Sequence, residues 1–277
     1  MNSRRFPWAL LIFGLVTGVA GAAEAPIPWG DNPAAGKFYD IRGFRMYCEV
    51  YGSGKPLLLI HGHNGSIARF APTLPYFAAH YRVIVADSRA QGKSRDDGEA
   101  LTFEMMADDC AALLDALHVE AAHVLGSSDG GIVALLLALR HPEKVISLAA
   151  SGANLRPDPD ALGQGLWDRM HADYERRRDQ PRTTAKEKND WKLFLLDWEQ
   201  PHIAPAELKA VRCPALVICG DHDAIVFEHT LEIYHSLPQA ALYVVPRSGH
   251  LTLIQHPDEV ARTVDAFFAA PDPRKTP

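Results

Sequence analysis

Six short, mostly apolar runs of strand length recur along this chain, at 57–60, 83–86, 122–126, 145–149, 215–219 and 242–245, interrupted only by His123 and Ser147. None shows the sustained polar–apolar alternation of a half-solvated strand, so these are strands covered on both faces rather than strands with a wet side. Stretches with helical periodicity separate the early runs: 68–80, 102–117 and 131–139. In 102–117, Met105, Cys110, Leu113, Leu114 and Leu117 fall close to helical periodicity, with Asp108, Asp109 and Asp115 mostly on other faces. Strand and helix in alternation with short connections build parallel βαβ units. The expected fold class is therefore α/β, with an open, doubly wound, mostly parallel sheet. Ahead of it, 38–41 and 44–51 read as a hairpin turning at Gly43.

One segment breaks the alternation. Residues 154–211 lie between two predicted strands and far exceed an ordinary crossover, so they are expected to form a helical cap or lid. Trp167, Trp191 and Trp198 fall in it, beside a charge-dense stretch at 174–192 that reads as a solvated helix face. Trp167 and Trp191 are open to two readings, substrate contact or the cap's own core. For 277 residues the size rule alone suggests about two domains, and one large unit with an insertion fits equally well. The expected organisation is a leader at 1–23, a core in two parts (24–153 and 212–270), the cap at 154–211 between them, and a disordered tail at 271–277. With 28 Lys and Arg against 34 Asp and Glu, the net charge of -6 offers no basic footprint for nucleic acid.

The leader has the order of a secretory signal: Arg4 and Arg5, an apolar stretch from 6 to about 20, then the small residues Ala20, Gly21, Ala22 and Ala23. Cleavage after Ala22 or Ala23 and export to the periplasm or beyond are expected; the alternative is an uncleaved membrane anchor. Phe6 directly after the arginine pair departs from the usual twin-arginine spacing. Cys48, Cys110, Cys213 and Cys219 are not spaced as a zinc site or disulfide scaffold and read as small buried hydrophobes.

The chemistry concentrates in three loops that follow strands. Gly126-Ser127-Ser128-Asp129-Gly130 fits G-x-S-x-G between a strand and a helix, a turn so tight that small residues must flank the serine. It lifts the Ser128 hydroxyl to a helix N-terminus, where backbone N–H groups meet developing negative charge. A serine needs a base and an acid to orient it. Gly220-Asp221-His222-Asp223 and Gly249-His250 end two later strands and complete the order Ser, Asp, His. Asp223, farther into its loop, is the expected acid, and Asp221 a loop cap through backbone hydrogen bonds. Of 13 histidines, His250 alone sits in a glycine-flanked loop directly after the final strand; His229, His235 and His256 fall in or beside predicted helices and read as surface residues.

With Ile60-His61-Gly62, the loop Asp87-Ser88-Arg89-Ala90-Gln91-Gly92-Lys93-Ser94, the elbow, Gly220–Asp223 and Gly249-His250, the chain resembles an α/β-hydrolase-fold serine hydrolase of carboxylesterase type over about residues 38–268. Ala90 stands where that family commonly has glycine. The resemblance implies an acyl-enzyme on Ser128, His250 as base, Asp223 as its orienting acid, and an oxyanion hole from the backbone N–H groups of His63 and Asp129. It implies no metal or organic cofactor and a small-molecule ester as the partner. The elbow with Asp129 after the serine is similar to that of biphenyl-hydrolase-like, valacyclovir-cleaving esterases, where this acid is associated with an α-amino acyl group; complementing the helix dipole is the other reading. Serine at the elbow argues against the dehalogenase and epoxide-hydrolase branches. An amidase, a lactonase, a C–C bond hydrolase or a non-catalytic binding member would share the same constellation.

Overall fold

The apolar runs pair edge to edge. Strands β1 (Gly36–Ile41), β2 (Phe44–Tyr51), β3 (Pro56–Ile60), β4 (Arg82–Ala86), β5 (Ala122–Ser127), β6 (Val145–Ser151), β7 (Ala215–Gly220) and β8 (Ala240–Val245) form one sheet ordered β1-β2-β4-β3-β5-β6-β7-β8. The computed structural model describes residues 27–98 and 100–270, so the expected leader at 1–23 and tail at 271–277 lie outside it. β2 is antiparallel to both neighbours and every later pairing is parallel. The β1–β2 turn has Arg42 at φ 42 and Gly43 at φ 89, the two positive-φ centres of a hairpin turn that matches strand twist.

Period-2 alternation sends side chains of one strand into two cores. From β3, Leu58 and Ile60 join one face and Leu57 and Leu59 the other; Ile84 and Val85 divide likewise in β4. The first core is covered by α2 (Phe103–Ala116) and α3 (Asp129–Arg140), through Phe103, Met106, Leu113 and Leu135. The second takes Leu74 and Phe77 from α1 (Leu74–His80) and Val260, Val264 and Phe268 from a C-terminal helix at Pro257–Ala269. The helix expected at 68–80 is divided into a 3₁₀ turn, Ile67–Phe70, and α1. Pro72 between them has no N–H to continue the ladder.

β3 lies between β4 and β5, so the loops leaving β3 and β5 turn away from each other and open a crevice at the carboxyl ends of the strands. Between β6 and β7 the chain forms α4 (Pro159–Leu162), α5 (Gln164–Arg177) and α6 (Ala185–Glu199). Two residues of α6 tie them to the loop after β4. Lys192 Nζ donates to the Asp96 carboxylate at 3.0 Å and to the Gly98 carbonyl at 2.7 Å, and the Asn189 amide to the Ala90 carbonyl at 2.8 Å. Trp167 stacks on Trp198, and Trp191 on Tyr174 and Phe194, with the Arg182 guanidinium 3.9 Å over the Trp191 ring. These rings fill the space between α5 and α6, which corrects the substrate-contact reading of Trp167 and Trp191. The helices α7 (Phe227–Ser236), α8 (Thr252–Gln255) and α9 (Pro257–Ala269) follow.

All four cysteines are buried thiols, and burial is the main cause that pushes Cys48 up to about 12 and Cys219 to about 11, well away from thiolate reactivity. His229 is also buried, correcting the surface reading: its Nε2 accepts the Leu155 N–H at 2.9 Å, tying the start of the cap segment to α7. Arg89 is buried with its Nε 2.7 Å from one oxygen of Asp109 and Nη2 2.8 Å from the other, and its Nη1 reaches Asp96 at 3.1 Å. Removing one partner of such a pair strands the other charge. Asp109→Asn is expected to lower unfolding free energy by about 3 kcal/mol in urea denaturation, whereas exposed Asp115→Asn changes it by less than about 0.5 kcal/mol.

Candidate active site

β5 ends at Ser127 and α3 begins at Asp129, leaving a single residue to turn the chain. Ser128 does so at φ 56, ψ -121, a conformation sparsely populated by residues with a Cβ and stored where the surroundings over-determine it. Its N–H is bound to the Ser151 carbonyl at 2.7 Å, and its own carbonyl accepts from Gly131 at 2.7 Å. A Cβ at Gly126 would be driven into the Gly130 carbonyl, so the glycine is required by the closeness of strand end and helix start. Gly62 is required by another approach: a Cβ there would lie 2.9 Å from the Ser127 carbonyl oxygen and from the Ser128 Cβ.

Loops from β7 and β8 bring the partners. His250 Nε2 lies 2.8 Å from Ser128 Oγ, and His250 Nδ1 2.7 Å from Asp223 Oδ1. A carboxylate only accepts, so Nδ1 carries the proton and Nε2 is left to accept from the serine hydroxyl. Asp223 accepts in addition the N–H groups of Gly220 at 3.2 Å and Ile225 at 3.0 Å, which fixes its rotamer. Asp221 accepts the N–H groups of Arg247 at 2.8 Å and Ser248 at 2.9 Å, and so holds the strand-end loop that delivers His250. Burial pushes the Asp223 carboxyl up, yet the His250 hydrogen bond and charge and the two backbone donors outweigh it and hold the carboxyl below its ordinary value. For His250, burial pulls down and the Asp223 hydrogen bond and charge, with Asp129 and Asp197 behind them, pull up; the net direction is up from 6.5.

The loop after β3 carries His61, Gly62 and His63 past the serine. His61 is buried; its Nε2 accepts the Ser88 N–H at 3.0 Å and burial holds its basicity down, so a neutral imidazole braces this loop against the one after β4. Asp87 pins the same junction, accepting from Ile67 at 2.8 Å and Lys93 at 2.7 Å. Asp129 is the first residue of α3, where its N–H has no intrahelical acceptor, and it and His63 both line the cavity that holds Ser128.

Two cavities meet at Ser128. One, of about 200 Å³, runs along Phe70, Leu251, Leu253 and Ile254, with Arg69 beside it. The other, of about 300 Å³, lies under the cap between Ile132, Leu162, Leu166, Met170 and Ile225. Trp167 and Trp191 line neither. Polar groups of the second cavity include Asn154, Gln200, Asp129, His63 and an acid that sequence reasoning missed, Asp197. Asp197 Oδ2 lies 2.9 Å from His63 Nδ1, and Asp129 Oδ2 lies 3.6 Å from the same nitrogen. Burial above all, then the charge of Asp129, pushes the Asp197 carboxyl up to about 7. Burial opposes charging of His63, but the two acids prevail and raise it to about 10. An acid on a polar cap helix carries no signal in sequence that distinguishes it from a solvated one.

A profile of the alpha/beta hydrolase fold matches residues 55–191. The 2-hydroxymuconate semialdehyde hydrolase of Pseudomonas sp. (strain CF600) is 28% identical, with 87% of this chain and 96% of that protein covered. The serine hydrolase BPHL of Mus musculus is 28% identical over 82% of this chain and 84% of its own. Among solved structures, the meta-cleavage product hydrolase CumD of Pseudomonas fluorescens IP01 superposes with a TM-score of 0.68 at 24% identity, covering 86% of this chain and 98% of the other, a likeness of fold.

If Asp223 sets the basicity of His250, the imidazole titrates above pH 6.5 by proton NMR. In Asp223→Asn its pKa falls, because burial remains while the largest opposing interaction is gone. An unchanged titration would contradict that assignment.

Proposed function

Because the chain is an α/β-hydrolase-fold protein, we propose that it hydrolyses carboxylic esters of small molecules through an acyl-enzyme on Ser128. The observation that carries this reading is the continuous chain of contacts from Ser128 Oγ through His250 to Asp223, at 2.8 and 2.7 Å. The Ser128 hydroxyl attacks the acyl carbonyl while His250 Nε2 takes its proton. Asp223 holds the imidazole in the accepting tautomer and stabilises the imidazolium that forms. The oxyanion is met by the backbone N–H groups of His63 and Asp129, donors that stabilise the transition state by about 3 kcal/mol each in comparable sites. His250 returns the proton to the departing alcohol, then activates water to release the acid and regenerate Ser128. Beyond the substrate and one water, each step uses side chains and peptide groups of this chain.

The under-cap cavity bears on the bond cleaved. Its lining carries Asp129 and Asp197, no lysine or arginine, and the imidazole of His63, already held between the two acids, so a substrate with a carboxylate, such as the semialdehyde of the Pseudomonas relative's name, meets like charge there with no free cation to receive it. A neutral ester does not. The name of the mouse relative, a serine hydrolase, agrees with a serine nucleophile.

Initial rates on p-nitrophenyl esters of increasing acyl length test the reading. Hydrolysis is expected for short acyl chains and to fall by about 10⁴-fold or more in Ser128→Ala. The rate is expected to decline as pH drops through the raised His250 pKa, since an imidazolium does not accept the serine proton. Ester turnover undiminished in Ser128→Ala would overturn the proposal, as would cleavage of carbon–carbon bonds without ester turnover.

The arginine pair and apolar stretch at the N-terminus carry a companion proposal, that the enzyme is exported. N-terminal sequencing of the protein recovered outside the cytoplasm is expected to begin at Ala23 or Glu24; an intact Met1 on a membrane-bound form would show an anchor instead.

A further inference from the structure

The triad leaves one cluster in its cavity unused. His63 from the loop after β3, Asp129 from the start of α3 and Asp197 from α6 each offer a donor atom, and these atoms all lie within 4.8 Å of one another. The Asp129 side chain is 7% exposed, and its Oδ2 has no hydrogen-bond partner; nor does Asp197 Oδ1. A buried carboxylate oxygen without a donor is costly, and its usual remedies are a proton, an ammonium group or a metal ion.

The donor set discriminates between the last two. One imidazole nitrogen and two carboxylates are ligands suited to a divalent first-row metal, whereas a protonated imidazole would repel a substrate ammonium brought to the same oxygens. Spacing agrees. Ligands held at about 2.0–2.2 Å around a tetrahedral zinc stand about 3.3 Å apart, and the His63 nitrogen stands 2.9 Å from Asp197 and 3.6 Å from Asp129.

We propose that His63, Asp129 and Asp197 form a binding site for a divalent first-row transition-metal ion such as zinc or cobalt, closed across the junction of core and cap. His63 binds through Nδ1 and releases the proton it holds there. With three protein ligands, the ion takes its remaining ones from water or from an oxygen of the molecule in the cavity. The site lies beside the triad without being part of it, and the ion offsets the two carboxylate charges that face the cavity. Because α6 supplies one ligand and the core two, occupancy also fastens the cap over Ser128.

Cobalt(II) added to the purified full-length protein provides the readout independently of turnover. The expected result is one ion per chain by native mass spectrometry, with a visible d–d absorption band from nitrogen and oxygen ligands. Affinity should fall at least about tenfold in Asp197→Asn and in His63→Gln, the loss expected even for groups that only orient a ligand. Two variants on different elements keep the test open if one misfolds, and circular dichroism reports folding in each. Absence of binding would overturn the proposal and leave His63 as the cluster's own cation. Binding that persists equally in both folded variants would also overturn it, assigning the ion to other histidines of the chain.

Discussion

Ser128 is held in a left-handed backbone conformation, and most of what surrounds it exists to keep it there. The β5–α3 turn is one residue long. Its N–H is committed to β6 through Ser151, its flanking glycines let the strand end and helix start touch, and the loop after β3 packs against its Cβ through Gly62. The doubly wound sheet makes this possible: a central parallel strand buried on both faces is stiff enough to present a strained residue, and the divergence of loops at β3 and β5 opens space in front of it. Strain of this kind persists only where neighbours over-determine it.

The partners are positioned by a hierarchy of backbone hydrogen bonds. Asp221 fixes the loop after β8 from the loop after β7, Asp223 is fixed by two N–H groups of its own loop, and His250 is fixed by Asp223. Each acid is satisfied before it acts on the next group, so the imidazole inherits a defined tautomer. Across the same cavity the situation is reversed. Asp129 and Asp197 approach each other and one imidazole, and each retains a buried oxygen without a hydrogen-bond partner. One side of Ser128 is electrostatically complete; the other keeps carboxylate oxygens without a partner.

The cap owes its place to polar contacts with the core. Lys192 joins the Asp96 carboxylate, which Arg89 also reaches, and Arg89 is held in turn by Asp109. A chain of buried charges thus runs from α6 to α2, while the stacked rings of Trp167, Trp191, Trp198, Tyr174 and Phe194 hold α5 and α6 to each other. The rings make a unit of the cap, and the charges decide where the unit sits.

The apolar runs by themselves determined the sheet and its two-sided cover, because a strand without a wet face has few architectures open to it. The elbow and the two later loops were legible for a related reason: their residue types are dictated by local backbone geometry and by chain order, both of which are written along the sequence. Asp197 was not legible, since an acid on a polar helix looks the same whether it faces water or a buried carboxylate. Nor was the role of Trp167 and Trp191, because large rings in an insertion serve equally for packing and for contact until the helices are placed. Those decisions belong to the tertiary structure, which alone fixes the distances between residues far apart in the chain, and electrostatics and packing depend on distance.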